Sequence, residues 1–227
     1  MKVGVLSAGV FGMGRAEKVC EQNKAIEEER ILRPAPAWNL EKFVSEQIRG
    51  LVRQVFLPIA NPPVRQVVFS SLEDETDTGD ICRRAGEILA AETAKDVAIV
   101  VDDRLHMVFD RNVALKEVGT RVRTNLWLVP FPENSDNDMS AESLHRYLGE
   151  MRREFEYSIV DAPAARGLGL AVATGQFADG IILVLSALRT RRAAARKFLE
   201  GLSHVRLLGT VLSDREFPIP QRIYRRL

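Results

Sequence analysis

The chain alternates short, continuous apolar runs with longer segments in which apolar residues recur at helical spacing. The runs lack polar alternation, which is typical of strands buried on both faces of a parallel sheet. Strands are predicted at 64–70, 97–101, 126–129, 157–160, 181–185 and 207–212, and helices at 39–55, 81–94, 141–155 and 190–202. Asp80, Ser140 and Thr190 stand near three helix starts, as capping residues do. Strands and helices alternating in this way predict a doubly wound α/β fold: a mainly parallel sheet with helices on both faces.

The N-terminal part of the chain does not continue this pattern. Residues 17–33 are polar, and the prolines at 34 and 36 separate them from the first apolar helix face. The glycines within 9–14 follow the order G-x-x-G-x-G, which is not the dinucleotide-binding order G-x-G-x-x-G. The sequence therefore predicts a flexible N-terminal segment over 1–37 and one α/β domain over 38–227.

Composition excludes several classes of function. The formal net charge of +1 gives no general argument for nucleic-acid binding, and the basic run at 189–197 is ordinarily explained as a solvated helix face. Cys20 and Cys82 form no CxxC pair, so neither a disulfide framework nor a zinc site is expected. Because no apolar run reaches the roughly 18 residues of a membrane span and no signal peptide is evident, we expect a cytoplasmic protein.

The loop after the first strand is the first place to look for a site, because ligands of open parallel sheets bind beyond the carboxyl ends of the strands. Residues 71–80 contain one glycine, no lysine and five acidic side chains. A phosphate-binding loop needs glycines that turn backbone N–H groups toward phosphate, a lysine, and a Ser or Thr hydroxyl for magnesium. Each carboxylate about 4 Å from a phosphate costs roughly 1 kcal/mol in water, so the loop should repel a triphosphate. An acidic cluster can also bind a hard cation, but this one lacks the spacing of an EF-hand loop, so a solvated acidic turn that caps the next helix is the preferred interpretation.

Two other strand ends carry aspartates, Asp102 and Asp161. An aspartate at such a position commonly holds magnesium in P-loop enzymes, so both are candidates for a catalytic and metal-binding role. The alternative is a polar strand end that hydrogen-bonds the neighbouring loop.

From residue 39 onward these segments follow the order and approximate spacing of the capsular exopolysaccharide family of bacterial tyrosine kinases, which the chain resembles. Residues 67–71 look like the entry to the family's Walker A loop, 97–103 like its Walker A′ strand, and Asp161 like its Walker B aspartate. Further segments similar to the family are 125–130, 178–184, 189–191, 208–213, 217–220 and 223–227. The resemblance implies a P-loop NTPase-like fold.

The chain also departs from that family. Where the family has Gly-Lys-Ser/Thr, this chain reads Asp-Thr-Gly-Asp, so its nucleotide-binding candidates are vestigial: Ser71, Thr78, Gly79, Asp80 and Arg104. Arg104 also replaces the second Walker A′ aspartate. Tyr224 stands alone where the resemblance implies a cluster of phosphorylated tyrosines. The family's Glu-x-x-Arg-x-x-Arg assembly helix is only partly present, as Glu46 and Arg49 with Arg53 one place late, which leaves a homo-oligomer open.

The resulting hypothesis is a pseudoenzyme without a cofactor that serves as a regulatory or binding module in polysaccharide biosynthesis or export. Its implied partner is a membrane-embedded chain-length regulator or another export protein, which would hold it at the inner membrane. The alternative is an active, ATP-binding tyrosine autokinase or ATPase, in which Asp161 and Asp102 position magnesium, Arg104 replaces the lysine and Tyr224 is phosphorylated. A partition or positioning ATPase of related fold ranks lower.

Overall fold

The computed structural model describes residues 39–57, 64–73, 76–101, 113–132, 140–162, 168–187, 189–202 and 204–213. The helices are α1 (Leu40–Phe56), α2 (Thr78–Thr93), α3 (Leu115–Val118), α4 (Ala141–Glu154), α5 (Leu168–Phe177) and α6 (Arg192–Gly201). The strands are β1 (Gln66–Ser71), β2 (Val97–Val101), β3 (Thr120–Arg123), β4 (Leu126–Pro130), β5 (Tyr157–Ala162), β6 (Gly180–Ser186) and β7 (Leu207–Ser213). From Leu40 onward the described residues belong to one compact unit, Leu40–Phe217.

The strands form one sheet in the order β3-β4-β2-β5-β1-β6-β7. Only β3 runs antiparallel to its neighbour among the described strands. All six residues of β1 are buried, which explains why the apolar residues at its centre, 67–69, follow one another without polar alternation. All six predicted strands and the mainly parallel α/β fold are confirmed.

Helices cover both faces of the sheet. Tyr147 and Leu148 of α4 and Phe198 of α6 pack into the apolar cluster on one face. Val52 of α1 and Leu89 of α2 belong to the cluster on the other face. The two clusters hold the sheet between two apolar layers, so the sheet is a rigid support for the loops at its carboxyl edge.

Three elements were not predicted from the sequence. The four residues of β3 are exposed, so β3 carries no apolar run, and α3 is a single short turn. Helix α5 is apolar over most of its length and therefore lacks the polar face that marks an amphipathic helix. These elements depend on tertiary contacts that hydrophobic periodicity does not encode.

The predicted helix starts are partly confirmed. Ser140 is the N-cap of α4, and its Oγ accepts the Ser143 N–H at 3.1 Å. Thr190 is not a cap, because its hydroxyl instead accepts the Ser186 N–H at 2.9 Å. Asp80 lies in the first turn of α2, whose N-cap is Asp77.

A polar network fixes the beginning of β1. One carboxylate oxygen of Asp179 accepts the backbone N–H groups of Arg65 and Gln66 at 2.7 and 2.8 Å, and the other accepts the Arg152 guanidinium at 2.8 Å. Burial opposes the ionised form of Asp179, but these three donors outweigh it and lower the pKa of the carboxyl below its usual value. The network therefore ties the start of β1 to the residue that precedes β6 and to α4.

Within the described residues, no helix combines the length and the apolar composition that crossing a bilayer requires.

Candidate functional site

Strand pairing brings the loop after β1 next to the end of β5. Phe69 lies opposite Asp161 and Ser70 opposite Ala162 in the parallel register of these strands. The chain leaves β1 at Ser71 and enters α2 at Thr78. The loop after β1 and the aspartate, which the sequence analysis treated separately, are therefore neighbours at the carboxyl edge of the sheet.

A short hydrogen bond joins the two. The hydroxyl of Thr78 donates to Oδ1 of Asp161 at 2.5 Å, and Thr78 is only 1% exposed. Gly79 leaves room for this approach, since a Cβ there would lie 3.2 Å from the other oxygen of Asp161, which is closer than an ordinary contact. Asp161 thus binds the neighbouring helix start, as expected of a polar strand end that hydrogen-bonds an adjacent segment.

Backbone amides of the loop are used within the chain itself. The N–H of Thr76 donates to the carbonyl of Glu73 at 3.2 Å, and the N–H of Thr78 donates to the carbonyl of Thr76 at 2.9 Å. The N–H of Asp80 donates to Oδ1 of Asp77 at 2.9 Å. A phosphate-binding loop presents such amides to its anion. Here three amides at alternate positions already have acceptors.

Two arginines bind the acidic side chain in the first turn of α2. Asp80 pairs with Arg83 at 2.5 Å and with Arg84 at 2.7 Å. Sequence reasoning counted Asp80 among the five acidic side chains of the loop and did not identify either arginine, although their spacing of three and four residues along a helix is the available signal. Asp80 therefore repels an anion less strongly than its sequence position indicated.

The site also contains a cysteine thiol close to its carboxylates. Cys82 lies one turn beyond Thr78 and is completely buried. Burial raises the pKa of its thiol well above the usual value, and the carboxylates of Asp161 and Asp77 raise it further. The thiol therefore stays protonated and is not a nucleophile.

Two oxygens of the loop are buried without a hydrogen-bond partner among the described residues: Oε2 of Glu73 and Oγ1 of Thr76. Thr76 is only 6% exposed. Buried polar atoms nearly always have a hydrogen-bond partner. Two buried oxygens without a described partner, so close together in the chain, are therefore unusual.

The donor set can be tested against the nucleotide and magnesium that this type of fold commonly binds. Thr78 and Asp161 are the types of residue that hold magnesium in P-loop enzymes. The phosphate side does not fit, because residues 71–94 contain no lysine and the loop amides described above are occupied. In the described part of the chain, no three His, Cys, Asp or Glu side chains are grouped as a metal site.

Three predicted site residues lie outside the described residues: Asp102, Arg104 and Tyr224. Ser71 is buried, and its hydroxyl donates to the carbonyl of Glu73 at 3.1 Å. Ser71 therefore belongs to the loop, but it acts there as an internal hydrogen-bond donor.

The arginines of the partial assembly motif are paired within the chain. Arg49 binds Glu46 at 2.6 Å and Glu92 of α2 at 3.2 Å. Arg53 binds the same Glu92 at 2.8 Å. Sequence reasoning did not identify Glu92, whose role depends on the packing of α1 against α2.

The sequence matches no protein-family model and no curated protein. Solved structures are similar in fold. The BceF tyrosine kinase domain has a TM-score of 0.60 and 18% identity, over 87% of this chain and 88% of that one. The kinase domain of the Escherichia coli tyrosine kinase ETK has a TM-score of 0.60 and 12% identity, over 78% and 79% of the two chains. A ParA family ATPase from Chlorobium tepidum has a TM-score of 0.51 and 14% identity, over 71% and 79%.

The molecule therefore has the α/β fold of P-loop NTPase-like proteins, and its structural neighbours include bacterial tyrosine kinase domains. At these identities the likeness concerns the fold alone, and function has to be argued from the site.

Proposed function

We propose that this chain is a tyrosine-kinase-like P-loop domain that no longer binds ATP and serves as a binding or regulatory module. One observation carries the proposal: the amides of Thr76, Thr78 and Asp80, on the loop that would face phosphate, are hydrogen-bonded to acceptors of the same loop. To bind a triphosphate, the loop would have to break these bonds and bring phosphate toward Asp77 and Asp161 without a lysine.

Calorimetric titration of the full chain with ATP and ADP, each with and without magnesium, tests this directly. We expect no heat at millimolar nucleotide, where binding is worth only about 4 kcal/mol. The matched variant carries Thr76→Gly and Asp77→Lys and keeps Thr78, which restores a Gly-Lys-Thr sequence whose Thr78 hydroxyl still contacts Asp161. Magnesium-dependent binding by that variant alone would support a lost nucleotide site, and micromolar binding by the unchanged chain would contradict the proposal.

An active ATPase or tyrosine autokinase is the second candidate, and two observations favour it. Thr78 and Asp161 are in contact at the position where P-loop enzymes hold magnesium. Oε2 of Glu73 is a buried acceptor without a partner among the described residues, which suits a hard cation. In this case Asp102 and Arg104 would complete the site, with Tyr224 as the phosphorylated residue. ATP turnover that Asp161→Ala abolishes while the fold persists would establish this alternative.

The wider role follows from the family resemblance. We infer a part in polysaccharide biosynthesis or export, on the cytoplasmic side of the inner membrane, with a membrane-embedded chain-length regulator as partner. Co-expression with the chain-length regulator of the same genome, followed by co-purification in detergent, tests this role. Recovery of the regulator alone, without this chain, would contradict it.

A further inference from the structure

Helix α6 and the turn before it carry a concentrated positive charge. Residues 189–197 contain five basic side chains and no acidic one, whereas the complete chain has a net charge of +1. The rest of the chain therefore has a net charge of −4. The positive charge is a property of this one segment and not of the whole protein.

The basic residues of α6 also differ from those of other helices in how they are paired. Arg191, Arg192 and Lys197 are exposed and form no ion pair with a described residue, and Arg196 has only Glu200 at 3.3 Å. By contrast, each arginine of α1, α2 and α4 forms an ion pair with a carboxylate. The charge of α6 is thus left for an external anion.

The orientation of α6 directs these side chains outward. Phe198 and Leu202 are only 5% and 4% exposed, and both pack into the apolar cluster on one face of the sheet. At about 100° per residue, Arg192, Arg196 and Lys197 lie on the opposite side of the helix from these two anchors. These cations are spread over the outward half of a convex helix, which offers no groove for a small ligand or an extended peptide but can lie against a flat anionic surface.

Exposed leucines lie on the same helix and strand. Leu199 of α6 is 40% exposed, and Leu207 and Leu212 of the edge strand β7 are 40% and 57% exposed. Leu207 pairs with Ile181 and Leu212 with Leu185, whose side chains belong to the cluster that α6 covers. Because paired residues of neighbouring strands point to the same face, both leucines of β7 lie on the α6 face of the sheet.

We propose that this α6–β7 surface, comprising Arg191, Arg192, Lys197 and the three leucines, binds the surface of a bilayer that contains anionic phospholipid. Unpaired cations next to exposed leucines match the two components of such a surface, the headgroup charge and the apolar layer beneath it. The contact would hold the domain at a membrane through its surface. It does not depend on nucleotide binding.

Sedimentation of the full chain with vesicles tests the proposal. One set of vesicles is phosphatidylcholine alone, and the other is phosphatidylcholine mixed with phosphatidylglycerol. We expect binding only to the anionic vesicles, with affinity falling as salt rises. The triple variant Arg191→Gln, Arg192→Gln, Lys197→Gln should bind about a hundredfold more weakly, at about 1 kcal/mol for each cation.

A second triple variant is the matched control. Arg53→Gln, Arg123→Gln and Arg153→Gln remove the same charge from exposed side chains away from α6. It should bind like the unchanged chain. Leu199→Ser should weaken binding without changing its salt dependence. The proposal is overturned if the unchanged chain fails to bind anionic vesicles at low salt, binds both vesicle types equally, or loses affinity equally in both triple variants. If the unchanged chain does not bind anionic vesicles, an acidic protein would be the alternative partner of the α6–β7 surface.

Discussion

The hydrogen bond between Thr78 and Asp161 determines what Asp161→Ala should do. If Asp161 is chiefly a structural acceptor, its removal should destabilise the fold. The bond is 2.5 Å long, its donor is 1% exposed and its acceptor is a carboxylate. Loss of a hydrogen bond to a charged group costs about 1.5–3 kcal/mol, and the Thr78 hydroxyl is left buried without this acceptor. Relief of repulsion from nearby Asp77 offsets part of that loss. We therefore expect a destabilisation of about 2 kcal/mol.

Urea unfolding measures this change. With an m-value near 2 kcal/mol/M, the midpoint should fall by about 1 M while m stays constant. Thr78→Val removes the donor with little change of shape, and the double variant completes a cycle whose coupling energy should be about 1.5–3 kcal/mol. The reasoning is refuted if Asp161→Ala leaves the midpoint unchanged. Magnesium-dependent ATP turnover by the unchanged chain that is abolished in the folded Asp161→Ala variant would instead favour the active enzyme.

Three further predictions concern packing, pH and reactivity. Gly86→Ala should destabilise the fold by about 1–3 kcal/mol in urea unfolding, because the added Cβ would lie 2.5 Å from Cδ1 of buried Ile99. The ionised Asp179 carboxyl should stabilise the unchanged chain fully above the ordinary carboxyl pKa near 3.8, and this stability should be lost as pH falls through the lowered pKa of the folded state. Asp179→Asn should remove this pH-dependent stability. Cys82 should react with a thiol reagent only on unfolding, as kinetics in rising urea would record.

Each of these predictions has its own control. Gly149→Ala is the partner for the first, because nothing lies within 4 Å of a Cβ there, so a loss equal to that of Gly86→Ala would contradict the packing argument. For the second, parallel stability curves of the unchanged chain and Asp179→Asn from neutral pH down to pH 3 would contradict the linkage. For the third, rapid labelling of the folded chain at Cys82, located by peptide mapping, would contradict its burial.

The sequence was a good guide to the sheet because burial on both faces leaves a direct record in composition. The residues of β2 and β6 are nearly all apolar, and β1 has three consecutive apolar residues at its centre; such runs have few alternatives to a central strand. Strand β3 was not predictable because its four residues are exposed, so its sequence carries no burial pattern. Its assignment as a strand rests on its antiparallel pairing with β4. Helix α5 was missed because an apolar helix without a polar face has no periodic signal.

The candidate site was predictable in its parts but not in its connections. The sequence by itself determined that the loop after β1 lacks a lysine and that Asp161 ends a strand. Only the tertiary structure decided that Asp161 accepts a hydrogen bond from Thr78 and that Glu92 binds the arginines of α1. It also decided that Arg192 and Lys197 of α6 are exposed and form no ion pair with a described residue. Composition and periodicity record how deeply a residue is buried, whereas its polar partners depend on which distant segments the sheet brings together.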